Sequence, residues 1–251
     1  MKSYLKLVQA DAKLLLREPV TLFFTIAFPV LFLMFMGSVF GSASGGGDAP
    51  GFVSRYVYAV SQFVPALMGM LLGSLALNTI PVATANDRER GILRRFKATP
   101  MPSWQWIAAQ IGAYFVIGLL GAILLTAVGK VAFDIQLPGN WALVFVGFTL
   151  SAISFMAFGY LVASLAPNAR AASVVGQLLF MPMMFVSGVA MPRSLLPAGI
   201  QAVSEWLPMT HIVILMQDLW FGRGWPLLSV CVLLGILVVG GALSAWLFRW
   251  E

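Results

Sequence analysis

Charged side chains are concentrated in one short segment of this sequence. Between two long apolar stretches, residues 86–100 read NDRERGILRRFKATP. A connection that only obeys membrane topology needs basic residues and has no use for the acidic ones. Acids and bases interleaved on a short helix instead suit ion pairing with another protein. The segment therefore predicts a docking surface for a cytoplasmic partner, and a solvated basic connection is the alternative interpretation.

The order of residues within this segment predicts a helix with defined ends. Asn86 is a favourable N-cap, and Glu89 three residues later completes a capping box. The apolar side chains that follow are spaced by three and four residues, which places them on one face. Pro100 stops the helix. We expect an amphipathic helix over 86–99.

The rest of the sequence lacks the residue clusters that catalysis or metal binding requires. With one histidine, His211, and one cysteine, Cys231, it can form neither a Cys/His metal cluster nor an intramolecular disulfide. Ser187 is interpreted as a packing residue of an apolar helix. A P-loop is missing as well, because Gly129-Lys130 is followed by Val131 where the pattern needs Ser or Thr. We expect no catalytic, metal or ATPase site in this chain.

Composition predicts an all-α membrane protein that forms a single transmembrane domain over 1–251. Hydrophobic residues make up 60% of the chain and charged residues 10%, against about a quarter charged in soluble proteins. A hydrocarbon core of about 30 Å needs roughly 20 apolar residues per helix. Six transmembrane helices are predicted, at 20–40, 57–84, 104–129, 141–165, 171–191 and 225–248.

Basic residues predict the orientation of these spans. Lys and Arg remain on the cytoplasmic side far more often than they are translocated. One side of the predicted topology carries Lys2, Lys6, Lys13, Arg17, Arg88, Arg90, Arg94, Arg95, Lys97, Arg170 and Arg249. The other side carries Arg55, Lys130, Arg193 and Arg223. Both termini are therefore predicted to be cytoplasmic, and the net charge of +6 reflects topology and not nucleic-acid binding.

Two further segments are predicted to lie at the membrane surfaces. Residues 1–18 favour an interfacial amphipathic helix, with basic and apolar residues on different faces. We expect the first span to be retained and not cleaved as a signal peptide, because its lead is long and contains acidic residues. Residues 192–218 are apolar but divided by prolines, which indicates short re-entrant helices on the external side.

Few strongly polar residues fall inside the predicted spans. None of the six apolar runs contains Asp, Glu, Lys, Arg or His away from its ends, so an ion-coupled secondary transporter is disfavoured. Span five carries large, adaptable side chains that suit apolar ligands, although lipid-facing or interhelical packing is an equal alternative. The candidate pathway-lining residues are Gln62, Asn78, Gln177, Phe180, Met183 and Met184.

Several of these motifs together resemble the membrane subunits of ABC type-2 transporters, particularly small bacterial drug- and nodulation-factor-type export permeases. The resemblance covers nearly the whole chain. It is carried by Arg17-Glu18-Pro19, Phe28-Pro29-Val30, Asp87-Arg88-Glu89-Arg90-Gly91, Ala98-Thr99-Pro100 and the broken apolar segment before span six. The Arg-Glu-Arg-Gly block is the most specific of these.

The resemblance implies a partner and a mode of energy supply. In that family the counterpart of 86–99 is a coupling helix that sits in a groove of a separate P-loop ATPase, which binds ATP and Mg²⁺. The implied contact residues are Asp87, Arg88, Glu89, Arg90, Gly91 and Arg94. The resemblance also implies a homodimer, or two related permeases, in the bacterial inner membrane, with spans two and five facing a central pathway.

The function expected from these observations is ATP-driven export of a hydrophobic or amphiphilic molecule, such as a drug, lipid or glycolipid. A polysaccharide-exporting permease is one alternative. A membrane scaffold that recruits another cytoplasmic protein through 86–99 is a second. A membrane enzyme with an unrecognised site is disfavoured because ionisable residues do not cluster in the spans.

Overall fold

The protein is mostly helical in the residues that its computed structural model describes, which are 23–43, 52–92, 103–190, 193 and 196–247. No β-strand occurs within these ranges, as the all-α prediction required. The α-helices are α1 (Phe28–Ala43), α2 (Phe52–Ser74), α3 (Ile80–Glu89), α4 (Ser103–Phe133), α5 (Trp141–Leu165), α6 (Ala169–Val186), α7 (Ala198–Ser204), α8 (Pro208–Trp220) and α9 (Leu227–Leu247). Two π-helical turns, Phe23–Ala27 and Leu75–Thr79, precede α1 and join α2 to α3.

Five helical segments are long and apolar enough to cross a membrane: Val60–Glu89, Ile107–Phe133, Trp141–Leu165, Ala169–Val186 and Leu227–Leu247. They correspond to predicted spans two to six, and Trp141–Leu165 has the predicted bounds. The first predicted span, 20–40, corresponds to the apolar but shorter helix Thr25–Val39. Five candidate spans are therefore present in the described part of the chain, and the sixth remains a prediction.

The second span is longer than predicted, and this corrects the start of the charged helix. Helix continues without a break through 84 and ends at Glu89, with Arg90 as its C-cap. Asn86 thus lies inside the last turn of α3 and caps no helix start. The capping-box prediction failed because the apolar residues before Asn86 already form helix. Residues 93–99, with Arg94, and the predicted helix 1–18 lie outside the described residues.

The segment predicted as re-entrant, 192–218, contains α7 and most of α8. Helix α8 is buried on nearly every side, with Met209, Ile212, Val213 and Met216 fully enclosed. It packs against α2, α5 and α9. Gly69 and Gly73 of α2 face it, since a methyl group at either position would lie within 3.2 Å of an α8 side chain. Two short helices are therefore present, and their depth in a bilayer remains a prediction.

Candidate functional site

Both π-helical turns precede a proline by two residues. Phe23–Ala27 is followed by Pro29, and Leu75–Thr79 is followed by Pro81. Proline has no backbone N–H, so the carbonyl four residues earlier loses its α-helical donor. In the second turn the N–H of Ile80 donates to the carbonyl of Leu75, five residues back. Each turn therefore widens its helix locally, as π-bulges do at many functional sites.

The second π-helical turn is accommodated by two glycines from neighbouring helices. A Cβ at Gly159 of α5 would overlap the carbonyl oxygen of Ala76, and a Cβ at Gly176 of α6 would overlap that of Leu77. The overlapping atoms belong to the backbone, so no side-chain rotation relieves the clash. These glycines let α5 and α6 approach the widened turn closely and fix its position.

A cavity of about 260 Å³ opens beside the two π-helical turns. Its walls come from both π-helical turns, from the start of α1, from α2 and α3, and from α6. The lining residues are Thr25, Phe28, Met70, Ser74, Asn78, Thr79, Val82, Ala83, Asn86, Gln177, Phe180, Met181 and Met184. They are apolar or uncharged polar residues without exception. The volume lies just below the usual range of about 300–1,000 Å³ for small-molecule sites.

Each π-helical turn contributes one unsatisfied polar atom to this cavity. Thr25 Oγ1 and Asn78 Oδ1 are buried and have no hydrogen-bond partner among the described residues. A buried polar group without a partner costs about 1–3 kcal/mol. Such groups are retained where a water or a ligand completes them. The arrangement suits a largely apolar molecule that carries a hydrogen-bonding group.

The structure brings together four of the six residues predicted to line a pathway. Asn78, Gln177, Phe180 and Met184 lie on the cavity wall. Met183 is buried in the core beside them, and its exposed fraction is 6%.

Gln62 lies apart from the cavity, about 24 Å along the helix from Asn78. Its backbone carbonyl accepts a hydrogen bond from Gln217 Nε2 at 3.2 Å. Thr25, Gly159 and Gly176 are functional-site residues that the sequence patterns do not predict. Pro29 and Pro81, each inside an apolar run, are the sequence signals that mark the two turns.

The charged residues 87–91 form a second site at the end of α3. Gly91 adopts φ of +68°, a left-handed conformation that favours glycine and ends the helix. Arg90 is exposed, whereas Arg88 is partly buried. The first residues of this cluster thus face the protein, and the last face solvent.

Two of these charged side chains bind the turn between α5 and α6. Arg88 Nη2 donates a hydrogen bond to the carbonyl of Ala166, the C-cap of α5. Glu89 Oε1 accepts one from the backbone N–H of Ala169, the first residue of α6, at 2.8 Å. A carboxylate at a helix N-terminus is favoured by the helix dipole. Hydrogen bonds therefore join the end of α3 to the end of α5 and to the start of α6.

Asp87 faces α4. Gln110 Nε2 lies 3.4 Å from Asp87 Oδ2, and Gln110 Oε1 accepts a hydrogen bond from Tyr160 Oη of α5 at 2.8 Å. Gln110 and Tyr160 are both buried. This chain of side chains connects the charged cluster to the helix bundle. Asp87, Arg88 and Glu89 thus make contacts within the chain, which their interpretation as partner contacts did not anticipate.

The sequence is similar to a described family of membrane proteins. The family described as ABC-2 type transporter matches residues 3–221. The match includes both the cavity residues and the charged cluster, and it ends one residue after α8.

Curated relatives have related names. The chain is 23% identical over 181 residues to the probable multidrug ABC transporter permease YbhR of Escherichia coli K12, covering 68% of this chain and 49% of the relative. It therefore spans about half the length of that relative. It is 22% identical over 241 residues to the putative transport permease YvfS of Bacillus subtilis 168, covering 96% and 94%. Nodulation protein J of Rhizobium leguminosarum bv. viciae is 29% identical over 90 residues, covering 36% and 34%.

Proposed function

Because this chain belongs to the ABC-2 type transporter family, we propose that it is the permease subunit of an ATP-binding-cassette exporter in a bacterial inner membrane. The family match over residues 3–221 carries the proposal. Five helices in the described part of the chain, each long and apolar enough to cross a membrane, support it. A separate P-loop ATPase binds ATP and Mg²⁺ and supplies the energy.

The charged cluster is the proposed coupling site. Arg90, Gly91 and Arg94 contact the ATPase, because the first two lie at the solvent-facing end of α3. Arg88 and Glu89 transmit movement, since their hydrogen bonds join α3 to the turn between α5 and α6. Asp87 adds a connection to α4. When ATP draws the ATPase subunits together, α3, α5 and α6 move as a unit, which fits a rigid-body switch between two states.

The cavity beside the π-helical turns is the proposed substrate contact. Its uncharged lining suits an amphiphile with a neutral hydrogen-bonding group, as do the oxygens of Thr25 and Asn78, which have no hydrogen-bond partner among the described residues. A drug-like molecule, a lipid or a glycolipid has this chemistry. A polysaccharide, being polar along its whole length, suits the apolar walls less well.

A second copy of the chain completes the pathway in this proposal. Helix α6 presents apolar side chains outward, with Val174, Leu178 and Phe185 each more than half exposed. Gln177 and Met181, which line the cavity, lie on the same exposed side. Pairing of two α6 faces would place two cavities next to each other. Lipid contact along α6 is the competing interpretation.

The experiment that tests the proposal is purification of the tagged chain from its native cell in mild detergent. A P-loop ATPase recovered at near-equal stoichiometry, and lost in the Arg94→Glu variant, is the expected result. Recovery of the chain without an ATPase, under conditions that preserve a known ABC complex, would favour the scaffold alternative. ATP-dependent movement of a fluorescent amphiphile in proteoliposomes then tests transport itself.

A further inference from the structure

A second concave surface lies between α4 and α5, away from the cavity and from the charged cluster. It is a groove of about 590 Å³. One wall is an α4 stripe that includes Leu119, Ile123 and Ala127, and the other is an α5 stripe that includes Val144 and Phe148. Met68 of α2 forms part of the floor. The groove opens outward, since the side chain of Ile123 is 57% exposed and that of Phe145 is 50% exposed.

The two ends of this groove differ. At the inner end Phe115 of α4 packs against Phe145 and Phe148 of α5, with ring centroids 6.4 and 6.0 Å apart. These rings close the gap between the helices. At the outer end Leu137 of the connection over 134–140 and Trp141 line the groove, and the ring centroids of Trp141 and Trp220 lie 6.1 Å apart in an edge-to-face arrangement. The groove is therefore a slot that is closed at its inner end and open along its outward side; its outer end, beside Leu137 and Trp141, is called the mouth.

The length of this slot matches one leaflet of a bilayer. Leu119 and Lys130 are separated by about 16 Å along α4, which is half of the hydrocarbon thickness of about 30 Å. Gln110, beside Asp87, lies about 30 Å from Lys130 on the same helix. The mouth therefore lies at the membrane face opposite the charged cluster. Trp141 at the mouth is half exposed, as tryptophan at a membrane–water interface commonly is.

Among the described residues that line the slot, the charge is that of Lys130 at the mouth, which is paired with Asp134 of opposite sign. Lys130 Nζ and Asp134 Oδ1 are 2.5 Å apart, and the Lys130 side chain is about half exposed whereas that of Asp134 is largely exposed. Inside the slot, the hydroxyl of Thr126 donates to the carbonyl of Ala122 of its own helix, at 2.8 Å. The slot thus offers a ligand apolar walls and, at one end, an ammonium next to a carboxylate.

We propose that this slot binds one acyl chain of a phospholipid of the surrounding membrane, whose zwitterionic headgroup lies on the Lys130–Asp134 pair. The lipid phosphate faces Lys130, and the headgroup ammonium faces Asp134. An exposed ion pair of this kind contributes little to stability, about 0–1 kcal/mol, so it opens readily to admit the headgroup. An anionic lipid would meet Asp134 as a like charge. The binding site is independent of the proposed export function.

The test measures which lipid remains bound to the full-length protein, purified with any partner subunits. Native mass spectrometry compares equal mixtures of phosphatidylethanolamine and phosphatidylglycerol. Wild type is expected to retain phosphatidylethanolamine about fivefold more, equivalent to about 1 kcal/mol for one surface charge. Lys130→Gln should lower retention of both lipids. Asp134→Asn should shift the preference toward phosphatidylglycerol.

Matched variants separate the slot from general charge and packing effects. Arg223 and Asp218 form another ion pair, 3.5 Å apart and partly exposed, outside the slot lining. Arg223→Gln and Asp218→Asn should leave the preference unchanged. Ala127→Phe fills the slot and should abolish selective retention. Ala142→Phe, at an exposed residue outside the lining, should have no effect.

Photo-cross-linking with a phosphatidylethanolamine that carries a diazirine on its acyl chain locates the lipid. Adducts concentrated in 119–127 and 144–148 are expected. Equal retention of the two lipids by wild type, or retention unchanged by Ala127→Phe, would overturn the proposal. Bifunctional cross-links that join residues of the slot to a second copy of the chain would also overturn it, by identifying the slot as a subunit interface.

Discussion

Glu89 Oε1 accepts a hydrogen bond from the backbone N–H of Ala169 at 2.8 Å, although 80 positions separate the two residues in the chain. Ala169 begins α6, so the carboxylate lies at the positive end of that helix. The adjacent Arg88 donates to the carbonyl that ends α5. One short charged stretch thus holds the end of one helix and the start of the next.

Reversing the charge of Glu89 should impair the coupling between ATP hydrolysis and transport. Glu89→Lys places a cation at the N-terminus of α6 and removes the hydrogen-bond acceptor. We expect the ratio of substrate transported to ATP hydrolysed to fall about tenfold, within the usual range of coupling energies. Glu89→Gln keeps an acceptor oxygen and should retain most of the coupling. The measurement uses proteoliposomes containing the permease and its ATPase.

Glu205→Lys is the matched control for this charge reversal. Glu205 is exposed, its Oε1 lies 3.7 Å from Arg193 Nη2, and it is far along the chain from the charged cluster. The Glu205→Lys variant should leave the transport-to-hydrolysis ratio unchanged. A wild-type ratio in Glu89→Lys, or an equal loss in both variants, would contradict the role assigned to Glu89.

Gly159 should be intolerant of alanine. The added Cβ would overlap the backbone carbonyl of Ala76, which cannot turn away while the π-helical turn persists. Overpacking of this kind costs about 1–3 kcal/mol, so the Tm of Gly159→Ala in detergent should fall. Gly235→Ala is the control, because no atom of the described residues lies within 4 Å of the added methyl group. Its Tm should be unchanged or higher, and a matching loss in Gly235→Ala would contradict the explanation.

The sequence predicts the helical elements better than their mutual contacts. Apolar length, together with Trp141 at one end, locates 141–165 at the bounds that the structure has, because the backbone of a long apolar run in lipid must satisfy its own hydrogen bonds, as a helix does. Asn86 misled the prediction because a residue with capping chemistry also occurs inside a helix that begins earlier. Pro81 marks the π-helical turn, but the sequence around Gly159 and Gly176 does not indicate that these two glycines pack against that turn.

The site is predictable to a similar degree. Asn78, Gln177, Phe180 and Met184 were identified because polar or adaptable side chains are conspicuous in apolar spans. Gln62 satisfied the same criterion and lies elsewhere. Gln62 lies too far along its helix to reach the cavity. Excluding it from the sequence alone would require knowing where α6 packs against α2 and α3.

Asn78→Leu should separate stability from function. Because Asn78 Oδ1 is buried without a partner among the described residues, its removal should leave the Tm unchanged or raise it. Transport of an amphiphile with a hydroxyl or amide group should fall about fivefold, from the loss of one hydrogen bond of about 1 kcal/mol. Gln62→Leu is the control outside the cavity and should transport normally. If Gln62→Leu reduced transport and Asn78→Leu did not, the substrate pathway would have to pass Gln62 and not Asn78.

Pro81→Ala should alter the coupling without unfolding the protein. Alanine has the backbone N–H that proline lacks, and this N–H can donate to the carbonyl of Leu77 four residues earlier. The π-helical turn can then tighten into an α-helix. A π-helical turn holds one residue more than an α-helical turn, so this tightening rotates α3 by about 100° relative to α2. Glu89 then points away from Ala169, and the transport-to-hydrolysis ratio should fall as it does in Glu89→Lys.

A cross-linking measurement links this kinetic effect to the proposed rotation. Cysteines at 89 and 169, in a Cys231→Ser background, should react with a short thiol-specific cross-linker. Addition of Pro81→Ala should reduce the yield severalfold. Pro65→Ala, which removes a proline from α2 without a π-helical turn nearby, should not change it. A full cross-link yield in Pro81→Ala would mean that Gly159 and Gly176 hold the turn without the proline, because their contacts with the carbonyls of Ala76 and Leu77 remain.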